Sequence, residues 1–233
     1  MNMDVVYDGK KSAALHMQRD QELIDHLQML KKPLLRLYEW ASPAVTYGYF
    51  INPDAHFISG ISEFDCARRP TGGGILFHVH DLTFSVAVPK TDPRYSDNVL
   101  ANYASINCAV LKAVQEVCDA LPIALQQEKA TSSFHEFCMA TPTQYDLLFN
   151  GRKIGGAAQR KTKYGFLHQA SIFLKEPPWD KLEKCLCNGK VLVKEMQKTS
   201  AHLFDAAICD GAAREQLVKA IIRNLSQAFS FTE

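Results

Sequence analysis

Residues 98–121 carry an apolar stripe in which Leu100, Tyr103, Ile106, Val110, Val114 and Val117 recur at helical spacing. Asn98 stands where a capping side chain belongs. A stripe of this length is core, and around it short alternating segments come in groups. Residues 34–40 alternate like a strand, Ser42-Pro43 turns the chain, and residues 44–49 read as a second strand. Residues 66–69 and 74–77 flank a glycine run, and residues 82–88 form a strand closed by Pro89. Residues 145–149 and 165–174 follow beyond the central helix. A first helix is expected over 12–32, from Met17, Leu23, Leu27 and Leu30 with Pro33 as its stop, and a last one over 211–229. Strands grouped between helices, rather than alternating with them one for one, predict an α+β fold with a mixed sheet packed with helices.

That fold needs apolar material, and 47% of the 233 residues are hydrophobic, enough for a full core. No repeat or linker divides the chain, so residues 1–233 read as a single domain. The net charge of +1 argues against a broad nucleic-acid or membrane footprint. No apolar run reaches the ~18 residues of a membrane helix. Residues 1–11 are polar and lack the apolar centre of a signal peptide. The seven cysteines (Cys66, Cys108, Cys118, Cys138, Cys185, Cys187 and Cys209) are odd in number and form no zinc-type pairs. They fit a reducing compartment, so a cytoplasmic location is expected.

Two segments could carry chemistry. One is Arg68-Arg69-Pro70-Thr71-Gly72-Gly73-Gly74. The other is Gly151-Arg152-Lys153-Ile154-Gly155-Gly156-Ala157-Ala158-Gln159-Arg160. Adjacent glycines let the backbone approach a ligand closely and reach positive φ. Their N–H groups, with an arginine beside them, suit an anionic or carbonyl-bearing ligand. The second segment reads as another glycine turn with a lysine beside it. Either could also do no more than reverse the chain. His78, His80 and Asp81 invite a metal reading, since alternate strand residues share a face. No second ligand cluster follows at useful spacing, so no metal is expected. Cys185-Leu186-Cys187 is too tightly spaced for a common zinc motif and reads as buried or idle thiols.

The run RRPTGGGILFHVHDLTFSVAVP at 68–89 resembles the first motif of the lipoate–protein ligase, octanoyltransferase and biotin–protein ligase superfamily. HMQRDQELI at 16–24 is similar to that family's first helix, and LLRLYEWASPAVTYGYF at 34–50 to its opening hairpin. GRKIGGAAQR followed by LHQASIFL resembles its lysine motif and next strand, so the likeness runs over residues 12–175. It implies a largely antiparallel central sheet and an enzyme that acylates one lysine of a small carrier domain. It makes Lys153 the residue that stabilises charge on the acyl carbonyl. It puts Gly72, Gly73 and Gly74 along the acyl tunnel and Arg69 at the donor's phosphate or carbonyl end. It aligns His78 with the family's strand-end histidine and adds Gly155, Gly156 and Ala157 to the acyl- or adenylate-binding set. No tightly bound cofactor is implied, only a lipoyl or octanoyl substrate.

Cys138 decides the branch. It lies in Phe137-Cys138-Met139-Ala140-Thr141-Pro142-Thr143-Gln144-Tyr145, ahead of the strand that leads into the lysine motif. This resembles octanoyltransferases that work through a cysteine thioester, with an acyl carrier protein as donor. A cysteine near a lysine can act as a nucleophile, although one of seven can also fall there by chance. The alternative is a lipoate ligase working through lipoyl-adenylate, which would need ATP and Mg. A third reading is a non-catalytic acyl-binding protein. Gly74, Ile51 and the order His168-Gln169-Ala170-Ser171 depart from the transferase pattern. The chain ends about sixty residues after Leu174, which is short for the ligases' accessory C-terminal domain. The acceptors implied are lipoyl domains of 2-oxoacid dehydrogenase or glycine-cleavage complexes.

Overall fold

The computed structural model describes residues 3–58, 61–128, 134–204 and 211–230; Cys209 lies outside them. In chain order the first half runs β1 (Asp4–Lys11), α1 (Ala13–Asp25), β2 (Leu34–Trp40), β3 (Ala44–Tyr47), β4 (Asp65–Arg68), β5 (Ile75–His78), β6 (Asp81–Pro89) and α2 (Val99–Val117). The second half runs β7 (Ile123–Leu125), β8 (Leu147–Phe149), β9 (Arg152–Thr162), β10 (Gly165–Phe173), α3 (Trp179–Cys185), α4 (Gly189–Thr199) and α5 (Gly211–Ala228). The main sheet has the order β1-β2-β6-β10-β9-β8-β7, and a small sheet has the order β4-β3-β5. Among the named strands only β1–β2 and β3–β4 pair in parallel, so the architecture is the mixed, largely antiparallel α+β one that the sequence predicts.

Period-two alternation divides the central strands between two cores. On β6 and β10, Leu82, Phe84, Val86, Phe166 and Ile172 face a core shared with α2 and α5. The intervening residues Thr83, Ser85, Gln169 and Ser171 are buried on the other face and are polar. That face meets α1, the small sheet, and a second core of Val45, Ile75, Phe77, Phe137, Met139, Leu182 and Met196. A sheet apolar on one side and hydroxyl-rich but buried on the other leaves room for a polar-walled cavity between its layers.

The termini of the expected helices hold at their caps. Ser12 Oγ accepts from the Leu15 N–H, and Asn98 Oδ1 accepts from the N–H groups of Leu100 and Ala101. The helix expected over 12–32 ends earlier, at Asp25, and a short 3₁₀ turn at Leu27–Met29 completes the segment. The larger correction concerns residues 151–160. Only Gly151, at φ 76°, turns the chain; the rest belongs to the eleven-residue strand β9.

Candidate active site

The face of the main sheet that carries Thr83, Gln169 and Ser171 and the small sheet enclose about 510 Å³ of empty space, part of it open to solvent. Arg69, Gly73, His78, Cys138, Lys153, Gly156 and Ala157 all line it, so residues nearly ninety positions apart in sequence converge. Trp40, Tyr38 and Phe173 supply aromatic walls, and Ala158 adds another small one. Gly72, Gly74 and Gly155 do not line it.

The glycine run is a fitted joint. Gly73 has φ 88°, a left-handed conformation that side chains disfavour. A Cβ on Gly73 would lie 3.1 Å from Arg69 Nη2 and 3.9 Å from Cys138 Sγ. One on Gly74 would fall 2.2 Å from the Glu136 carbonyl oxygen. The missing side chain lets the segment before Cys138 lie directly on β5, where the Ile75 N–H donates to Glu136 O at 2.6 Å and Ile75 bridges Phe137. A Cβ on Gly155 would sit 3.0 Å from Ser171 O, on the neighbouring antiparallel strand β10. Around Gly72 a Cβ would meet nothing.

Arg69 spends its donors on the loop. Nη1 donates to Thr46 O and Oγ1 at 3.0 and 2.7 Å, and Nη2 donates to Gly72 O and Gly74 O at 3.2 and 2.7 Å. These bonds set the shape of the glycine run. His78 is equally engaged. Its Nδ1 meets Asp81 Oδ2 at 2.6 Å, its Nε2 meets Thr46 Oγ1 at 2.7 Å, and its ring stacks on Trp40. Asp81 Oδ2 also accepts from Thr83 and Ser171. Burial alone would raise the Asp81 carboxyl, but His78 and these three hydrogen bonds hold it below the usual carboxylate range. His80 lines a second groove, beside Lys175 and Arg214, that His78 and Asp81 also border. Among the described residues no cluster of three or more His, Cys, Asp or Glu could hold an ion.

Lys153 and Cys138 bring an amine and a thiol to the cavity. Lys153 is buried on β9, with Nζ 2.6 Å from Asp146 Oδ2 and 3.4 Å from Thr141 O. Cys138 opens a short 3₁₀ turn, Cys138–Ala140, and is half-buried. The sequence singles out neither Asp146 nor the hydroxyl wall. Asp146 is a lone charge at a strand entrance, and its buried partner is seven residues away on the next strand. The one available signal is the alternation of polar residues on β6 and β10, in strands otherwise apolar.

A second polar network lies behind the cavity. Arg36 donates to Asp8 and Asp20 at 2.8 Å, and Asp20 also accepts from Ser85, Gln169 and Tyr38. Thr71 Oγ1 donates to Gln169 Oε1 at 2.5 Å, which ties the glycine run to α1 through β10. His16 Nε2 lies 2.7 Å from Glu39 O, and its Nδ1 lies 2.7 Å from Arg36 Nη2. Since the carbonyl can only accept and the guanidinium only donate, the proton sits on Nε2. Burial pushes the His16 pKa down to about 4.

A family model described as Lipoyl protein ligase A/B catalytic domain matches residues 12–228. The Octanoyltransferase LipM of Carboxydothermus hydrogenoformans is 28% identical over 226 residues, covering 94% of this chain and 83% of its own. That of Bacillus cereus is 30% identical over 231 residues, covering 92% and 82%. Among solved structures, the bi-partite lipoate protein ligase of Thermoplasma acidophilum, studied with its E2 lipoyl domain, is similar in fold. It matches with a TM-score of 0.72 at 20% identity and covers 100% of this chain and 86% of that one.

Proposed function

Because the chain belongs to the lipoyl protein ligase A/B catalytic-domain family, we propose that it transfers an octanoyl or lipoyl group to the ε-amine of a lipoyl-domain lysine by way of a thioester on Cys138. The observation that carries this reading is the convergence of Cys138 and Lys153 on one cavity walled by Gly73, Gly156, Ala157 and Ala158. Small residues at the reactive end leave space for a thioester carbonyl, and the aromatic and hydroxyl-bearing walls leave space for its chain. The octanoyltransferase relatives support the acyl group.

In the first half-reaction the Cys138 thiolate attacks the carbonyl carbon of a donor thioester, such as octanoyl on an acyl carrier protein. Negative charge gathers on the carbonyl oxygen. An ammonium has three N–H groups; Lys153 points two at Asp146 and Thr141, which leaves a third for that oxygen. The donor sulfur leaves and takes up a proton. In the second half-reaction the acceptor lysine's amine attacks the Cys138 thioester, the C–S bond breaks, and the amide remains on the acceptor. The acceptors proposed are lipoyl domains of 2-oxoacid dehydrogenase or glycine-cleavage complexes. Arg69, His78, Gly72, Gly74 and Gly155 act as supports that shape the acyl site.

Intact-protein mass spectrometry after incubation with octanoyl carrier protein tests the reading. One octanoyl group should appear, map to Cys138, and leave when a lipoyl domain is added. Cys138→Ser should abolish transfer. A Cys138→Ser chain that stays fully active with lipoate and consumes ATP would overturn the thioester route and make this a lipoate ligase.

A further inference from the structure

A lysine placed beside a thioester creates a hazard. A primary amine is what the reaction delivers the acyl group to, so Lys153 could capture the group itself. The surroundings of Lys153 answer that hazard. Asp146 Oδ2 lies 2.6 Å from its Nζ, and the two side chains are 3% and 5% exposed. The carboxylate is itself fixed: the same oxygen accepts from the Thr143 backbone N–H at 2.6 Å and from Thr143 Oγ1 at 2.9 Å. Tyr145, just before it, adopts φ 68°, which turns the chain so that Asp146 faces β9. Opposite the pair, a Cβ on Gly156 would lie 2.6 Å from Lys153 Cε, 2.8 Å from Nζ and 2.9 Å from Asp146 Oδ1. A side chain is absent where the pair needs the space.

We propose that Asp146 is a positioning residue that holds Lys153 as an ammonium, so that Lys153 donates to the acyl carbonyl and does not compete with the acceptor lysine for the acyl group. The proposal rests on the thioester reading above. An ammonium nitrogen has no lone pair and cannot attack a carbonyl; a neutral amine can. Without the carboxylate, a deprotonated Lys153 Nζ attacks the Cys138 thioester carbon. The C–N bond forms, the C–S bond breaks, and the amine proton passes to the departing thiolate. The Cys138 thiol is restored and the acyl group is stranded as an amide on Lys153. The shift needs no co-reactant and is a dead end.

The experiment follows Asp146→Asn through successive additions of octanoyl carrier protein and lipoyl domain, with peptide mapping at each step. The expected result is N-octanoyl Lys153 at about tenfold or more above the parent level, the scale set by loss of a hydrogen bond between charged groups. Turnover should fade as the adduct accumulates. Asp146→Glu, which keeps a carboxylate, should suppress the adduct. The double variant Asp146→Asn, Cys138→Ser should not form it from the carrier. A folded Asp146→Asn chain that loads Cys138 and shows no Lys153 adduct overturns the proposal. Should Asp146→Asn fail to fold, Thr143→Val, which removes one of the bonds fixing the carboxylate, carries the same test with a smaller adduct expected and none overturning it. If the parent never loads Cys138, the thioester reading has failed. Asp146→Asn with lipoate and ATP then offers Lys153 an activated carbonyl, and absence of the amide there overturns the guarding role separately.

Discussion

At the scale of single residues, the most demanding neighbour of Lys153 is a missing one. A methyl group on Gly156 would sit within 3 Å of Lys153 Nζ and Asp146 Oδ1. The atoms it would meet are the far ends of side chains, so the backbone need not move. Gly156→Ala should therefore fold like the parent while displacing the ammonium. Its rate of acyl transfer should fall toward that of Lys153→Ala, itself expected to lose on the order of 10²-fold, as for removal of one oxyanion donor. Single-turnover transfer, compared with near-unchanged circular dichroism and melting temperature, reads this out. Near-normal rates in either folded variant would remove Lys153 from the mechanism. Arg69 illustrates how a charge can serve two ends at this scale: beside glycines it reads as a ligand contact, and on the cavity wall it also makes four hydrogen bonds to the chain itself.

At the scale of elements, the meeting of β5 with the Cys138 segment governs the site. Gly74→Ala would drive a methyl group to 2.2 Å from Glu136 O and 2.5 Å from its carbonyl carbon, and backbone cannot rotate out of the way. The variant should lose roughly 1–3 kcal/mol of stability, as for overpacking. It should also slow both Cys138 alkylation and acyl loading, measured by denaturant melts and iodoacetamide trapping. Full stability with full loading would mean that the joint is slack. The same elements show where sequence was readable. β2, β6 and β10 announce themselves by alternating apolar residues, and α2 by its stripe and its Asn98 cap. β9 does not: Gly155-Gly156-Ala157-Ala158 looks like a turn because it lacks bulk, yet bulk is what the cavity cannot accept there. β1 hides because charged residues fill an edge strand, and Lys10 and Lys11 find partners in Glu39 and Asp8. α3 and α4 hide because only one side of each is buried, against the small-sheet core. Of the pair read as buried or idle thiols, Cys185 is buried in that core and Cys187 is exposed.

At the scale of the whole molecule, the buried histidines set the response to acid. Burial holds His16 near pKa 4 and His168 near 3, against an ordinary 6.5. Between these values and 6.5 the unfolded chain binds protons that the native chain does not. Stability therefore rises with pH through that window and is lost as pH falls through it. Asp20, whose carboxyl burial raises, acts in the opposite sense. The expected outcome is a melting temperature that drops from pH 6.5 to pH 4, with a shallower slope in His168→Phe, which removes a ring whose Nε2 has no hydrogen-bond partner among the described residues. An unchanged slope in that variant would show that His168 does not contribute. The seating of Cys138 has a consequence for descent. The contacts that hold its segment are made by the main chain of Glu136, Phe137 and Met139 and by the Phe137 and Met139 side chains in the second core. Mutation at position 138 can therefore change the sulfur while the loop keeps its path. On the thioester route proposed above, one codon change at position 138 would remove the covalent step without first costing the fold.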